Sequence, residues 1–432
     1  MKSIIKIIII LILFLFQAGF SQSLKETVKI ALEASPGIAS AREQLRESKL
    51  DAKSTHRSTL PQLDFSASYQ HVTDRASLNL PGGGPLPGMK VNLGVFDTYE
   101  TGLMANYILF SGFAQKNLIE LKDQTAELNN QQMKKTEKTT ALDVIVKYRQ
   151  IQNSLLEIDA LHAAGKRIDL QVNRIKSLAA QGMALALDTL SLSLSRLNNE
   201  QKIIAANAKL ETERQELNQL AGQKIQVDPK AAANVEQQIP EFETNQIDDL
   251  KMLNTRIRMM KSSQSITRAG YFPNVGLFAG VKYAKPGVDF IANDWMTYGV
   301  WGVNLNWNLF KWNADHLKIQ SQQAAIQSIQ FQYQVVNDRI RTKYDNAIRE
   351  FEALKQQYSV ALRARDVAKK KMEIVESRYK QGMSSVTDFN EANLELTDAE
   401  INLQRQKILL ALKISEIDFL SGKSINEWRI EQ

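Results

Sequence analysis

Residues 109–222 of this chain recur at 309–422 without an insertion or a deletion. Leu109-Phe110 returns as Leu309-Phe310, Gln181-Gly182-Met183 as Gln381-Gly382-Met383, Asp188 as Asp388, and Leu220-Ala221-Gly222 as Leu420-Ser421-Gly422. A constant offset of 200 over so long a stretch marks the duplication of one structural unit, because surface loops otherwise gain and lose residues freely. Upstream, Leu60-Pro61-Gln62-Leu63-Asp64-Phe65 is answered by Phe272-Pro273-Asn274-Val275-Gly276-Leu277 at an offset of 212. The 12-residue difference falls where the first copy has Pro81-Gly82-Gly83-Gly84-Pro85-Leu86-Pro87-Gly88 and the second only the neighbourhood of Lys285-Pro286-Gly287. Each copy should therefore carry one loop of variable length at the same place.

Proline is absent from 88–228 and from 287–432, and glycine is nearly absent there too. Only Gly165 and Gly182 stand between Gly112 and Gly222, and only Gly382 and Gly422 follow Gly302. With these breakers missing, each tract reads as a very long helix, a break at Gly182 or Gly382, and a second helix ending at Gly222 or Gly422. A first helix of about 70 residues would be roughly 105 Å long. In the second copy Ile326, Ile329, Tyr333, Val336, Ile340, Tyr344, Ala347, Phe351, Leu354 and Tyr358 keep a three-four spacing, the seam that coiled-coil packing needs. Two antiparallel helical hairpins are expected, each folded at a glycine.

The segments before the hairpins change period to two. Leu63, Phe65, Ala67 and Tyr69 alternate with Gln62, Asp64, Ser66, Ser68 and Gln70, and Val275, Leu277, Ala279, Val281 and Tyr283 repeat the pattern. Returning strands follow, with Leu103, Ala105, Tyr107 and Leu109 in copy one and Trp301, Val303, Leu305, Trp307 and Leu309 against Asn304, Asn306 and Asn308 in copy two. Alternation fits either a sheet on a soluble core or a bilayer-spanning sheet with a wet polar face. The aromatic content and the N-terminus favour the membrane. Four strands cannot close a barrel, and open strand edges are not tolerated in lipid, so membrane-spanning strands would require several copies to share one barrel.

That N-terminus has Lys2 and Lys6, an apolar run from Ile7 to Phe16, and small or polar residues through Ala18, Gly19, Ser21 and Gln22. It reads as a secretory signal peptide cleaved after Ser21, since the run is too short to span a bilayer. With no cysteine there are no disulfides, thiolate metal sites or cysteine nucleophiles. His56, His71, His162 and His316 lack a second histidine at ligand spacing, so no metal site is expected. The net charge of +7 is interleaved with acidic residues, which speaks for solvated helix faces and against a nucleic-acid partner. No phosphate loop, nucleophile elbow or zinc helix is present; neither catalysis nor a cofactor is expected.

The signal peptide, the duplicated strand-loop-strand plus hairpin, Ala31-Leu32-Glu33-Ala34-Ser35-Pro36-Gly37-Ile38, Leu109-Phe110-Ser111-Gly112 and Tyr379-Lys380-Gln381-Gly382 before Asp388 resemble the TolC-like outer-membrane efflux protein family. The resemblance covers essentially the whole mature chain. It implies a mainly α protein with a membrane β part: a homotrimer whose twelve-stranded β-barrel, four strands per chain, continues as a periplasmic α-helical barrel. It further implies an exit duct in the outer membrane of a Gram-negative bacterium, in contact with outer-membrane lipid. A periplasmic adaptor and an inner-membrane pump such as an RND or ABC transporter would be its partners.

By resemblance, Gly182, Met183, Gly382 and Met383 are adaptor-docking tips, although Gly182 and Gly382 also read simply as helix terminators. Asp388 and Glu391 match the acidic positions of the family's periplasmic gate, which in a trimer would form a ring of carboxylates disfavouring anions. Asp388 equally suits the first turn of a helix, as does Asp188, while Ser191 replaces Glu391 in copy one. Tyr379 and Asp188 match a closing latch, whereas Ser384 and Leu187 stand where a second latch has polar partners. Tyr379 also fits an ordinary seam position.

The expected organisation is a signal peptide at 1–21, a first repeat at 22–222 with strands near 61–71 and 99–110 and a hairpin at 111–222, and a linker at 223–246. A second repeat at 247–422 has strands near 273–284 and 297–310 and a hairpin at 311–422, before a tail at 423–432. The linker and tail should belt the helices. A periplasmic coiled-coil adaptor or scaffold is the competing reading; it would not need duplicated amphipathic strands.

Overall fold

The computed structural model describes residues 21–83, 88–181, 185–229, 239–289 and 292–430. The expected signal peptide, apart from Ser21, and the tip residues Gly182 and Met183 lie outside them. In chain order the elements are α1 (Leu24–Ala34), α2 (Pro36–Arg57), β1 (Gln62–His71), β2 (Ser77–Leu80), β3 (Met89–Asn92), β4 (Asp97–Phe110), α3 (Ala114–Ala180) and α4 (Ala186–Ala221). Then follow α5 (Asp248–Ala269), β5 (Asn274–Lys285), β6 (Met296–Asn306), α6 (Ala314–Lys380) and α7 (Val386–Leu420). Both α3 and α6 have 67 residues, which makes each about 100 Å long. The chain divides into two compact units.

One unit is helical and comprises the chain up to Glu43, Gln131–Met252 and Tyr333 onward. Its largest core gathers Leu24, Val28 and Ala31 of α1, Val144, Ile145, Tyr148 and Ile151 of α3, and Leu210 and Leu217 of α4. The linker adds Ile225 and the tail adds Trp428 and Ile430. Ser23 caps α1 by accepting from the Glu26 N–H. Tyr148 is fully buried and ties N-terminus to linker, donating to the Gln22 carbonyl at 2.8 Å and accepting from the Asp228 N–H at 3.1 Å. The tail is held by Asp418, which has no exposed surface and accepts from Arg429 through its backbone N–H, Nε and Nη2 at 3.1, 3.0 and 2.6 Å. The seam read on α6 is real: Tyr344, Ala347 and Phe351 pack on Leu410, Ile414 and Ile417 of α7.

The other unit, Gln44–Asn130 and Leu253–Gln332, contains a four-stranded antiparallel sheet in the order β1-β4-β5-β6. Phe65 pairs with Leu103, Leu103 with Val281, and Ala279 with Trp301, so residues of one parity share a face across all four strands. A register shift between Ile108 and Phe110 lets β4 run on to Phe110. The strand near 297–310 is shorter than expected and stops at Asn306. Asn306 pairs with Asn274, the first residue of β5; Pro273 precedes it and offers no N–H, and Trp312 and Asn313 turn the chain at positive φ. Asn308 therefore lies beyond the strand. The variable loop of copy one also contains a hairpin not anticipated above, β2 paired with β3, with Leu78 opposite Val91 and Leu80 opposite Met89.

Candidate functional site

The sheet presents two chemically different faces. Leu63, Phe65, Leu103, Leu277, Val281, Trp301, Val303 and Leu305 lie on one, and all are exposed, Trp301 to 83%. Burying such side chains in a protein core would stabilise the fold by about 1.5–3 kcal/mol each, so an outward face of this composition marks a surface that meets something apolar. On the other face Asp64 accepts from Asn106 at 3.0 Å and Lys282 bonds Glu100 at 2.7 Å, with Gln62, Ser66, Ser68, Asn304 and Asn306 beside them. Glycines make room there: a Cβ on Gly280 would stand 2.3 Å from Met104 Sδ, and one on Gly302 2.5 Å from Phe278 Cζ.

Aromatic rings cluster at both ends of the sheet. At one end Tyr69 meets Tyr99 at 5.1 Å between centroids, Tyr99 meets Trp295 at 5.9 Å, and Tyr283 stacks on Trp295 at 4.7 Å. At the other Phe110 lies 5.5 Å from Phe113 and 6.5 Å from Phe272, and Trp307 Nε1 donates to the Tyr271 carbonyl. From Tyr99 to Phe110 is about 37 Å of strand, or nearly 30 Å of height at a tilt near 40°. Rings at the two ends of an apolar band of that height are the pattern of a lipid-facing sheet with interfacial girdles.

The second hairpin tip is built on local capping. Gly382 takes φ +76° at the end of α6; the Met383 N–H reaches the Arg378 carbonyl at 2.9 Å and the Gly382 N–H the Tyr379 carbonyl at 3.1 Å, which is a Schellman termination. An added Cβ would touch nothing, so glycine is required here by the backbone angle alone, and the tip surface, including exposed Met383, stays open. Arg174 of α3 donates to the Lys380 carbonyl at 2.7 Å. Ser385 then starts α7 with a reciprocal capping box: its hydroxyl accepts from the Asp388 N–H at 3.1 Å, and its own N–H donates to Asp388 Oδ2 at 2.9 Å. The Ser385 N–H, followed by the Ser385 hydroxyl, holds the Asp388 carboxyl below its ordinary range.

The remaining expected residues fall around this tip. Glu391 lies one turn beyond Asp388 and shares Lys371 with Glu395, at 3.6 and 2.7 Å from Lys371 Nζ. The hydrogen bond that Lys371 donates to Glu395, opposed by some desolvation and reinforced by the charge of Glu391, raises the Lys371 ammonium above its usual value. A lysine thus stands among the carboxylates, and neither Lys371 nor Glu395 was singled out from the sequence. Counting from the hairpin turn would have found them, since Lys371 and Glu391 are nearly the same number of residues from Gly382. Likewise Ser385-x-x-Asp388 is a readable capping signature. Tyr379 is buried against Phe389, with ring centroids 5.6 Å apart, and its hydroxyl has no hydrogen-bond partner among the described residues. Burial first, and the charge of Asp188 second, push its phenol up. Tyr379 and Asp188, expected as a latch, are electrostatic neighbours with no hydrogen bond between them.

Arg167 of α3 donates through Nε to Asn393 at 2.6 Å and through Nη2 to Thr397 at 3.0 Å, tying the first hairpin to α7. Beside these contacts a groove of about 780 Å³ is lined by residues of α3, α4 and α7, among them Asn199, Lys202, Asn390 and Glu391. Among the described residues no cluster of histidine and acidic side chains could hold a metal ion, and no helix is long and apolar enough to cross a membrane. The lipid-facing candidate is the sheet.

The sequence profile of the family described as Outer membrane efflux protein matches residues 27–223 and 244–413, which takes in most of both repeats. The chain belongs to that family. Solved structures agree on the fold. CusC, whose structures concern folding and transmembrane channel formation, superposes with a TM-score of 0.78 at 14% identity, over 93% of this chain and 92% of its own. The CmeC outer membrane channel of Campylobacter jejuni gives 0.75 at 15% over 92% and 85%, and the outer membrane protein VceC of Vibrio cholerae 0.73 at 16% over 93% and 96%. No curated protein sequence matches significantly. As a member of the outer membrane efflux protein family, the chain is a TolC-like efflux protein, of mainly helical fold with a sheet part.

Proposed function

We propose that this efflux protein is the outer-membrane exit duct of a tripartite efflux or type I secretion system. After removal of residues 1–21, three copies share a twelve-stranded barrel in the outer membrane of a Gram-negative bacterium, and their hairpins continue as a helical barrel in the periplasm. Transport through the duct is passive; a periplasmic adaptor engages the tips at Gly182, Met183, Gly382 and Met383, and an inner-membrane RND or ABC pump supplies the energy and the substrate choice. Asp388 and Glu391, with Lys371 and Glu395, form the charged periplasmic constriction.

One observation carries this reading: the sheet has a continuous exposed apolar face and two edges, β1 and β6, unpaired among the described residues. The strands alternate in direction, so β6 of one copy and β1 of the next are antiparallel, and pairing them leaves no edge in lipid. A periplasmic adaptor or scaffold would leave that face in water, at the cost of aggregation. The test is fractionation of the processed protein with gels of heated and unheated samples. Heat-dissociable trimers in the outer-membrane fraction that conduct ions in planar bilayers are expected. A soluble periplasmic monomer would refute the proposal.

A further inference from the structure

Four glycines stand on the polar face of the sheet, and three of them are covered. The strand pairing sets Gly102, Gly276, Gly280 and Gly302 on the same face as Gln62, Asp64 and Asn304. The Met104 thioether lies over Gly280, the Phe278 ring over Gly302 and the Lys282 stem over Gly102. Gly276 is open: a Cβ built there would meet only the Tyr107 carbonyl oxygen, at an ordinary contact distance of 3.7 Å. A strand glycine that no neighbour covers leaves room for something else to approach the backbone.

That room is a hollow of about 240 Å³. Its walls belong to one face, since Gly276 pairs with Ile108 on one side and Asn304 on the other, and Gln62, Asn106 and Phe278 stand in line across the next layer. Leu60, just ahead of β1, completes the lining. Leu60, Ile108 and Phe278 thus put an apolar wall on the wet face, where strand alternation calls for polar side chains. Opposing it are carboxamides. The side chains of Gln62 and Asn304 make no hydrogen bond among the described residues, and Asn106 gives one amide hydrogen to Asp64. Among the described residues no carboxylate, lysine, arginine or histidine lines the hollow.

This lining selects a ligand chemistry. A charged solute would give up hydration here without gaining a counter-charge, whereas carboxamides both donate to and accept from a neutral polar edge. The volume equals that of about eight waters at roughly 30 Å³ each, and it falls below the roughly 300 Å³ at which drug-sized pockets begin. One ring fits, with its flat side on the apolar wall. We propose that the hollow over Gly276 is a transit site for an uncharged aromatic ring bearing an amide or hydroxyl group on its edge. Phe278, Leu60 and Ile108 take the ring, and Gln62, Asn106 and Asn304 exchange hydrogen bonds with the edge. The proposal rests on the reading of the polar face as the interior of the duct, and it names a class of solute that the duct itself favours.

The test uses 4-fluorobenzamide as the probe, with its fluorine NMR line width followed against detergent-extracted trimer. The parent protein should broaden the line beyond the detergent blank, and the charged analogue 4-fluorobenzoate should not be broadened. Gly276→Val fills the hollow at a position whose φ is not positive, and should weaken binding at least about tenfold. Phe278→Ala removes the aromatic wall and should weaken it about two- to tenfold. Detergent takes up the probe equally beside every variant, so the difference between variants reads the site. Equal broadening by the parent and Gly276→Val, or 4-fluorobenzoate broadened as much as the amide, overturns the proposal. If Gly276→Val does not assemble, Asn304→Leu at an exposed position decides instead, and broadening unchanged from the parent overturns the site. A parent that forms conducting trimers without broadening the probe loses this site and keeps the channel reading. A soluble periplasmic monomer removes both.

Discussion

Replacing Leu103 by arginine separates a lipid-facing sheet from a water-facing one more sharply than any change at the hairpins. Leu103 sits midway along β4, flanked by Phe65 of β1 and Val281 of β5 on the apolar face, between Tyr99 and Tyr107. Its side chain is half exposed and makes no polar contact that arginine would disrupt. In water, an exposed strand position changes stability by about 0.5 kcal/mol or less. At the midplane of a bilayer, arginine on the outer face of a barrel costs about 2–4 kcal/mol per chain, which is roughly 30-fold to several hundred-fold in the folding equilibrium. A trimer bears that cost three times. The assay is urea unfolding of protein refolded into lipid vesicles, followed by heat-modifiable mobility. Asn304→Arg on the polar face of β6 is the control and should stay within about 0.5 kcal/mol of the parent. If Leu103→Arg is as mild as Asn304→Arg, the apolar face does not meet lipid and the membrane argument fails.

Asp418→Ala should cost about 3–5 kcal/mol, because it removes the fully buried carboxylate that accepts three hydrogen bonds from Arg429 and so frees Trp428 and Ile430 from the core. Trypsin would then cut at Lys423 and Arg429 under native conditions, and a variant as resistant as the parent refutes the clamp. Acid should loosen the start of α7. The Asp388 carboxyl is lowered by the Ser385 N–H, so its contribution is complete above the ordinary carboxyl value near pH 4 and is lost as pH falls through the lower folded value. Amide exchange at 386–389 should therefore accelerate in acid in the parent protein and show no such acid limb in Asp388→Asn; the same acid limb in both proteins would remove the capping box as its cause.

What was legible in the sequence was whatever depends on neighbours along the chain. The period-two segments became β1, β4, β5 and β6, and the breaker-free tracts became helices ended at Gly222 and Gly382, because pleat, helical period and positive φ are local properties. The buried seam of α6 followed from its spacing for the same reason. The premature end of β6 and the β2-β3 hairpin were not legible, since each depends on which backbone stands opposite: Asn306 has the last partner that β5 can offer.

The residues expected at the gate show the same division. Asp388 could be placed at the start of a helix from its position, yet only the folded hairpin brings Lys371 between Glu391 and Glu395 and turns a supposed row of carboxylates into a mixed cluster. Tyr379 and Asp188 could be named as a pair, and the fold brings them near without bonding them, because Tyr379 is turned into the core against Phe389. By itself the sequence determined the repeat, the element types and the amphipathic faces, all of which follow from local periodicity. The tertiary structure decided which charges meet and which hydroxyl stays unpaired among the described residues, because those depend on residues far apart in the chain arriving at the same height.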